Sequence, residues 1–179
     1  MNSKFELLLD DTVESFGIKL FRIRALISFD NVKAGDVGGY IEKEENLSES
    51  GNAWVYGNAR VYGNAWVYGD ARVSGDARVY GDAWVYGNAR IYGNARVYGN
   101  AEVSGDARVT SKKDYIVFKN SWSSFRWFTY TKSNKMWNVG CFSGTGQELI
   151  EKAYKDNEKS GKSYEAYVNL VLELEKLDD

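Results

Sequence analysis

Between Gly51 and Thr110 the apolar residues recur every six positions. Val stands at 55, 61, 67, 73, 79, 85, 97, 103 and 109, with Ile91 completing the series. Ala lies two residues before each of them and Gly four before, so the segment reads as ten units of Gly, Asn or Asp, Ala, a variable residue, Val and, most often, Tyr. In an extended triplet such as Arg60-Val61-Tyr62, neighbouring side chains face opposite ways. With Val turned inward, the residues on either side of it face outward. Gly followed by Asn or Asp is corner chemistry, because these residues tolerate positive φ. Ala suits the crowded interior edge beside each corner. Three units close a triangle, so one coil takes 18 residues and successive coils stack at about 4.8 Å. Two weaker units, Gly39–Glu44 with Ile41 and Glu45–Ser50 with Asn46 and Leu47, extend the same phase upstream. Residues 39–110 then make four coils, a stub roughly 19 Å tall.

The flanks have other periods. In 1–38, Lys4–Leu9 and Ile18–Ser28 read as strands joined through Asp10–Gly17, with Leu20, Ile23 and Leu26 apolar and Arg22 and Arg24 turned outward. This predicts a small β cap, which the exposed end of a solenoid requires. In 111–179, Asp114–Lys119, Phe125–Thr131 and Met136–Phe142 predict three short strands. Two helices follow: Thr145 and Glu148 have capping-box spacing, and Ser163 caps an amphipathic run through Tyr164, Tyr167, Val168, Val171 and Leu174. The C-terminal part is thus a small α+β domain.

The aliphatic residue followed four positions later by a small one, as in Val55/Ala59 and Val61/Ala65, resembles the hexapeptide-repeat left-handed β-helix proteins. The fold expected is mainly β: a left-handed parallel β-helix over 39–110, a β cap over 1–38 and the α+β domain over 111–179. The order of parts, with Phe21-Arg22-Ile23-Arg24-Ala25-Leu26, Gly38-Gly39-Tyr40-Ile41-Glu42, Glu44-Glu45-Asn46-Leu47-Ser48 and Gly140-Cys141-Phe142-x-Gly144-Thr145, resembles bacterial, phage and prophage hexapeptide-repeat or polymer-forming proteins. That resemblance implies an architecture and a mobile-element setting, and no reaction.

Composition removes most chemistry. The 179 residues include no histidine and one cysteine, Cys141. Hexapeptide-repeat acyltransferases use a histidine base, so that activity is not expected, and neither is a His-ligated metal or an internal disulfide. Glu102 is the one acidic residue at an outward strand position of the repeats, where a solvated or salt-bridged role is expected. Ser160-Gly161-Lys162-Ser163 has Asp156 where a phosphate loop needs its first Gly. Ser143-Gly144-Thr145-Gly146 reads as a capped helix start, and Cys141 as a small buried residue. No cofactor is expected. Net charge is −2, divided as −4 over 1–50, +1 over 51–110 and +1 over 111–179, which is not that of a polybasic nucleic-acid binder. No apolar run is long enough to span a membrane, and a cytoplasmic protein of a bacterial host cell is expected.

Stacking by 18 aligns three outward rows. The first face carries Trp54, Arg72, Arg90 and Arg108. The second carries Arg60, Arg78 and Arg96 beside Tyr62, Tyr80 and Tyr98, a basic-aromatic comb that suits bases and phosphates or, more plainly, a soluble surface in which each Arg lies over a Tyr. The third carries Trp66 and Trp84 beside Tyr68 and Tyr86. Four large aromatics on a flat face call for a cover: the C-terminal domain, another copy of the chain, or a target. Asn and Asp alternate down every corner, as in Asn52-Asp70-Asn88-Asp106, so that an intervening amide can donate to the carboxylates on either side. The function expected is non-enzymatic protein–protein binding. The chain self-associates as a dimer or trimer and engages a host protein, in the manner of an anti-CRISPR-like inhibitor. A structural, polymer-forming role and nucleic-acid or nucleotide binding along the comb are the alternatives.

Overall fold

The computed structural model describes residues 2–177. Strand β1 (Phe5–Ser15) pairs antiparallel with β2 (Ile18–Ala25) through a tight turn at Phe16 and Gly17, both at positive φ. The segment expected to join two strands through Asp10–Gly17 is therefore mostly strand, with its register shifted between Leu8 and Thr12. β2 pairs antiparallel with β3 (Val37–Ile41), and β3 runs parallel to the first repeat strand on its face.

Ten two-residue strands follow: β4 (Trp54–Val55), β5 (Arg60–Val61), β6 (Trp66–Val67), β7 (Arg72–Val73), β8 (Arg78–Val79), β9 (Trp84–Val85), β10 (Arg90–Ile91), β11 (Arg96–Val97), β12 (Glu102–Val103) and β13 (Arg108–Val109). They stack in parallel and in register with residue 18 positions on, forming the sheets β4-β7-β10-β13, β3-β5-β8-β11 and β6-β9-β12. The chain is thus a parallel β-solenoid of four turns. Every repeat Val, Ile91 and every repeat Ala is buried. The first turn is two residues longer than the others: Ile41 lies against Val61 and Leu47 against Val67, each a step of 20. The upstream units are therefore offset from the expected phase, and the extra residues fall between Leu47 and Val55.

At each corner Gly alone takes positive φ, from +60° to +73°, while the following Asn or Asp does not. The glycine requirement is doubly physical. A Cβ on Gly87 would meet the Gly105 backbone nitrogen of the next coil at 2.9 Å, in a φ region that L residues disfavour.

The C-terminal domain is a four-stranded antiparallel sheet, β14 (Tyr115–Lys119), β15 (Trp127–Thr131), β16 (Met136–Val139) and β17 (Phe142–Gly144), covered by α1 (Gly146–Asp156) and α2 (Glu158–Lys176). The expected third strand is two, because Gly140 turns the chain at φ +58°. Cys141 lies in that turn and is exposed, not buried. The capping box at α1 forms as read: Thr145 N donates to Glu148 Oε2 at 2.7 Å, so a carboxylate of the chain already holds that helix start. α2 begins earlier than expected. Asn157 caps it through Ser160 N at 2.8 Å, and Ser163 lies inside, donating to the Lys159 carbonyl. Gly161 brings α2 against the Tyr154 ring of α1, where a Cβ would stand 2.3 Å from ring carbons. Phe128, Trp137, Leu149, Tyr164 and Val168 form the core of this domain.

Candidate functional site

The N-terminal hairpin decides what remains of the second face. Leu20 buries Tyr62 and Tyr40 in a satellite core, and Phe16 reaches the Arg78 guanidinium. Arg60 donates toward the Glu14 carbonyl. Tyr62, Tyr80 and Tyr98 stack on one another at centroid distances of 5.1 and 5.3 Å. The expectation that each Arg lies over a Tyr is therefore corrected: parallel in-register strands place like side chains on like, and ring–ring stacking uses that register. Arg22, expected to turn outward, instead lies over the Tyr40 ring and pairs with Asp11 at 2.8 Å. Leu26 is exposed, whereas Ile23 joins the solenoid core and Leu20 the satellite core.

The C-terminal domain decides the third face. It packs on the end of the solenoid, over β12, and not along the aromatic row. Glu102 N donates to Thr129 Oγ1 at 2.9 Å, Asn138 Nδ2 donates to the Glu102 carbonyl at 3.0 Å, and Ser104 Oγ donates to Asn138 Oδ1 at 2.7 Å. Trp66 and Trp84 are left 38% and 42% exposed. They meet edge to face at 6.0 Å, while Tyr68 stacks under Trp66 at 4.1 Å and on Tyr86 at 4.8 Å. The result is a rigid aromatic ledge, its rings held by one another and not by a covering element. Burial pushes the Tyr68 hydroxyl up to about 12 and raises Tyr86 as well, so both remain neutral donors at any ordinary pH.

Above the ledge the C-terminal sheet overhangs. Trp84, Glu102, Phe125, Arg126 and Trp127 line a groove of about 570 Å³. Glu102 is half-buried and forms no salt bridge among the described residues, in place of the solvated or salt-bridged role expected. Its Oε2 is shut from solvent with no hydrogen-bond partner, and burial raises its pKa. Phe125 and Trp127 belong to this surface and were outside the sequence-derived set. Their strand was legible, but its placement over the solenoid face was not.

The corner alternation forms hydrogen bonds in two rows. Asn52 Nδ2 donates to Asp70 at 2.7 Å and Asn64 Nδ2 to Asp82 at 3.0 Å. Asn52 and Asn64 head their rows and have one carboxylate beside them, whereas Asn88, the amide between Asp70 and Asp106, donates to neither of them, against the expected bridge. Among the described residues no group of three or more acidic or cysteine side chains stands close enough to hold a metal. No helix of the described residues is long and apolar enough to cross a membrane.

Stacked in-register strands, glycine corners and a small-residue interior define a β-solenoid repeat protein. The family model described as YdcK Beta solenoid repeat matches residues 53–69, 71–87 and 89–103, which are the stacked coils alone. No curated protein matches the chain in sequence.

Proposed function

We propose that the protein is a non-enzymatic binding protein that docks a protein partner on the ledge of Trp66, Tyr68, Trp84 and Tyr86. The observation that carries this reading is that the two tryptophans stay more than a third exposed after both flanking domains have packed. Buried Trp and Tyr dominate interface energetics because they exclude much water at little conformational cost. The absence of histidine supports a non-catalytic role, since the base of hexapeptide-repeat acyltransferases has no counterpart in this chain. The setting proposed is the cytoplasm of a bacterial host, with a second copy of the chain and a host protein as the partners. Inhibition of a host defence system is the use that the phage-type resemblance points to.

End-to-end polymerisation is the less supported alternative, because both solenoid ends are already hydrogen-bonded by the flanking domains. Assembly is assigned to the faces. The test is sedimentation velocity together with a nuclease-treated pull-down, run beside Trp66→Ala/Trp84→Ala. A stoichiometric protein partner, or a closed oligomer, that is lost in the double variant is the expected result. A wild-type monomer with no protein retained, or retention unaffected by the double variant, overturns the reading.

A further inference from the structure

The first face holds a second basic row, and unlike the comb it is open. Arg72, Arg90 and Arg108 are in-register neighbours on three successive coils, about 4.8 Å apart by the spacing of paired strands. Guanidinium groups are always ionised, and like charges directly opposite across a ladder cost stability. Among the described residues, one of the three is neutralised by an ion pair. Arg72 pairs with Asp30, on the loop that follows the N-terminal hairpin. Arg90 and Arg108 are exposed, and their side chains make no ion pair or hydrogen bond among the described residues. The carboxylates bordering the face do not serve them: Asp70 accepts from Asn52 instead. The row therefore carries an unmet demand for negative charge. Beside it stand Tyr56, Ser74 and Tyr92, and together they line a groove of about 530 Å³, within the range of small-ligand sites. Tyr92 is 38% exposed and has no ring partner among the described residues, in contrast to the mutually stacked tyrosines of the second face.

We propose that this groove binds the phosphate groups of a nucleotide, free or within a single strand, with Arg90 and Arg108 as the phosphate contacts and Tyr92 as the platform for the base. The guanidinium fork matches phosphate oxygens, and an anion seated between two in-register guanidiniums turns their repulsion into a shared attraction. Ser74 adds a hydroxyl donor at the same level. An aromatic face next to the charges selects a ligand with a flat base over a bare anion. The sequence reading placed such chemistry on Arg60, Arg78 and Arg96. The hairpin that covers the lower part of that face moves it to the first. This inference is independent of the docking reading, which uses the opposite row of aromatics.

The test titrates the full-length protein with ATP by calorimetry and with a labelled oligothymidylate by anisotropy, at low salt. Saturable binding of at least one is expected, weakened about tenfold or more by Arg90→Gln or Arg108→Gln, the loss typical of a charge-assisted hydrogen bond. Arg78→Gln on the second face and Trp66→Ala/Trp84→Ala on the third leave it unchanged. Tighter binding of ATP identifies a free nucleotide. Tighter binding of the strand, with a salt slope that falls by about 0.7 for each arginine removed, identifies single-stranded nucleic acid. Arg90→Gln keeps or raises Tm without ligand, so its loss of binding is not unfolding. Failure of both ligands to saturate, or equal weakening by Arg78→Gln, overturns the proposal.

Discussion

The two ends of the solenoid are closed by different sets of side chains, a buried ammonium and an amide below, and hydroxyls, amides and a carboxylate above. In the ladder bonds that flank the two-residue strands, the N–H belongs to the lower coil and the carbonyl to the next coil up, as in Trp54 N to the Ala71 carbonyl and Arg90 N to the Ala107 carbonyl. Bonds of that direction leave carbonyls open on the first coil and N–H groups open on the last, and each end exposes groups of the other kind as well. At the lower end the chain supplies mostly donors, with the Glu42 carboxylate accepting from Gly63 N at 2.6 Å. The Lys4 ammonium, 1% exposed, reaches the Ser48 and Ala53 carbonyls at 3.1 and 2.8 Å, and Asn46 Nδ2 reaches those of Gly63 and Ala65 at 3.1 and 2.8 Å. At the upper end it supplies donors, Asn138 Nδ2 to the Glu102 carbonyl and the Tyr115 hydroxyl to the Arg96 carbonyl at 2.9 Å, together with acceptors. Thr129 Oγ1 takes Glu102 N, Ser133 Oγ takes Arg108 N at 2.7 Å, and the Asp114 carboxylate takes Thr110 N at 2.6 Å. Buried backbone groups at either end must find partners, and the wrong kind of cap would leave them unpaired.

The comparison breaks most severely at the lower end. Lys4→Met keeps the stem and removes the donor, leaving two carbonyls without a partner. A loss of about 2–4 kcal/mol in urea unfolding is expected, from two unsatisfied buried groups. Thr129→Val at the upper end keeps the shape and strands a single N–H, so a smaller loss of about 1–3 kcal/mol is expected. A larger effect at Thr129 than at Lys4 would contradict the assignment of the lower end as the more tightly capped.

The ends also differ in their pH response. Burial lowers the Lys4 pKa from 10.5 to about 8, against the attraction of Asp70. The folded state therefore holds that proton less tightly than the unfolded chain. The Lys4 contribution to stability rises with pH between about 8 and 10.5, and the difference between wild type and Lys4→Met follows it. At the upper end burial would raise the Asp114 pKa, but the hydrogen bonds from Thr110 and Ser111 outweigh it and hold the carboxyl below 3.8. Its contribution is complete above that value and is lost as pH falls below it, a limb that Asp114→Asn abolishes. Unfolding midpoints across the two limbs check both signs. An alkaline limb that survives Lys4→Met would show that the ammonium is not its source.

The solenoid was legible residue by residue, because its rule is local. Each Val repeats an inward position, each Ala a tight one, each Gly a positive φ, and ten repetitions leave no freedom of phase. The offset of Ile41 and Leu47 was not legible, since both phases place an aliphatic residue in the interior and only the pairing with Val61 and Val67 tells them apart. The α1 cap could be read from Thr145 and Glu148, whereas Ser163 misled because Asn157 offers the same chemistry one and a half turns earlier. The third-face aromatics were identified as a patch in need of a cover, and the first-face arginines were aligned as a row without a role.

The sequence by itself determined the period, the interior, the corners and the outward rows, because these follow from alternation within a strand and from 18 residues per turn. Trp54 is the exception: it was read as outward but is buried against Phe5 and Phe29. Only the tertiary structure decided which rows stay open. The hairpin folds back over the second face because Leu20 finds Tyr40 and Tyr62 there. The C-terminal sheet takes the end because Thr129, Asn138 and Ser133 meet unpaired backbone there. Those contacts join residues far apart in the chain, which no period encodes, and they leave the tryptophan ledge and the arginine groove as the surfaces with chemistry still to satisfy.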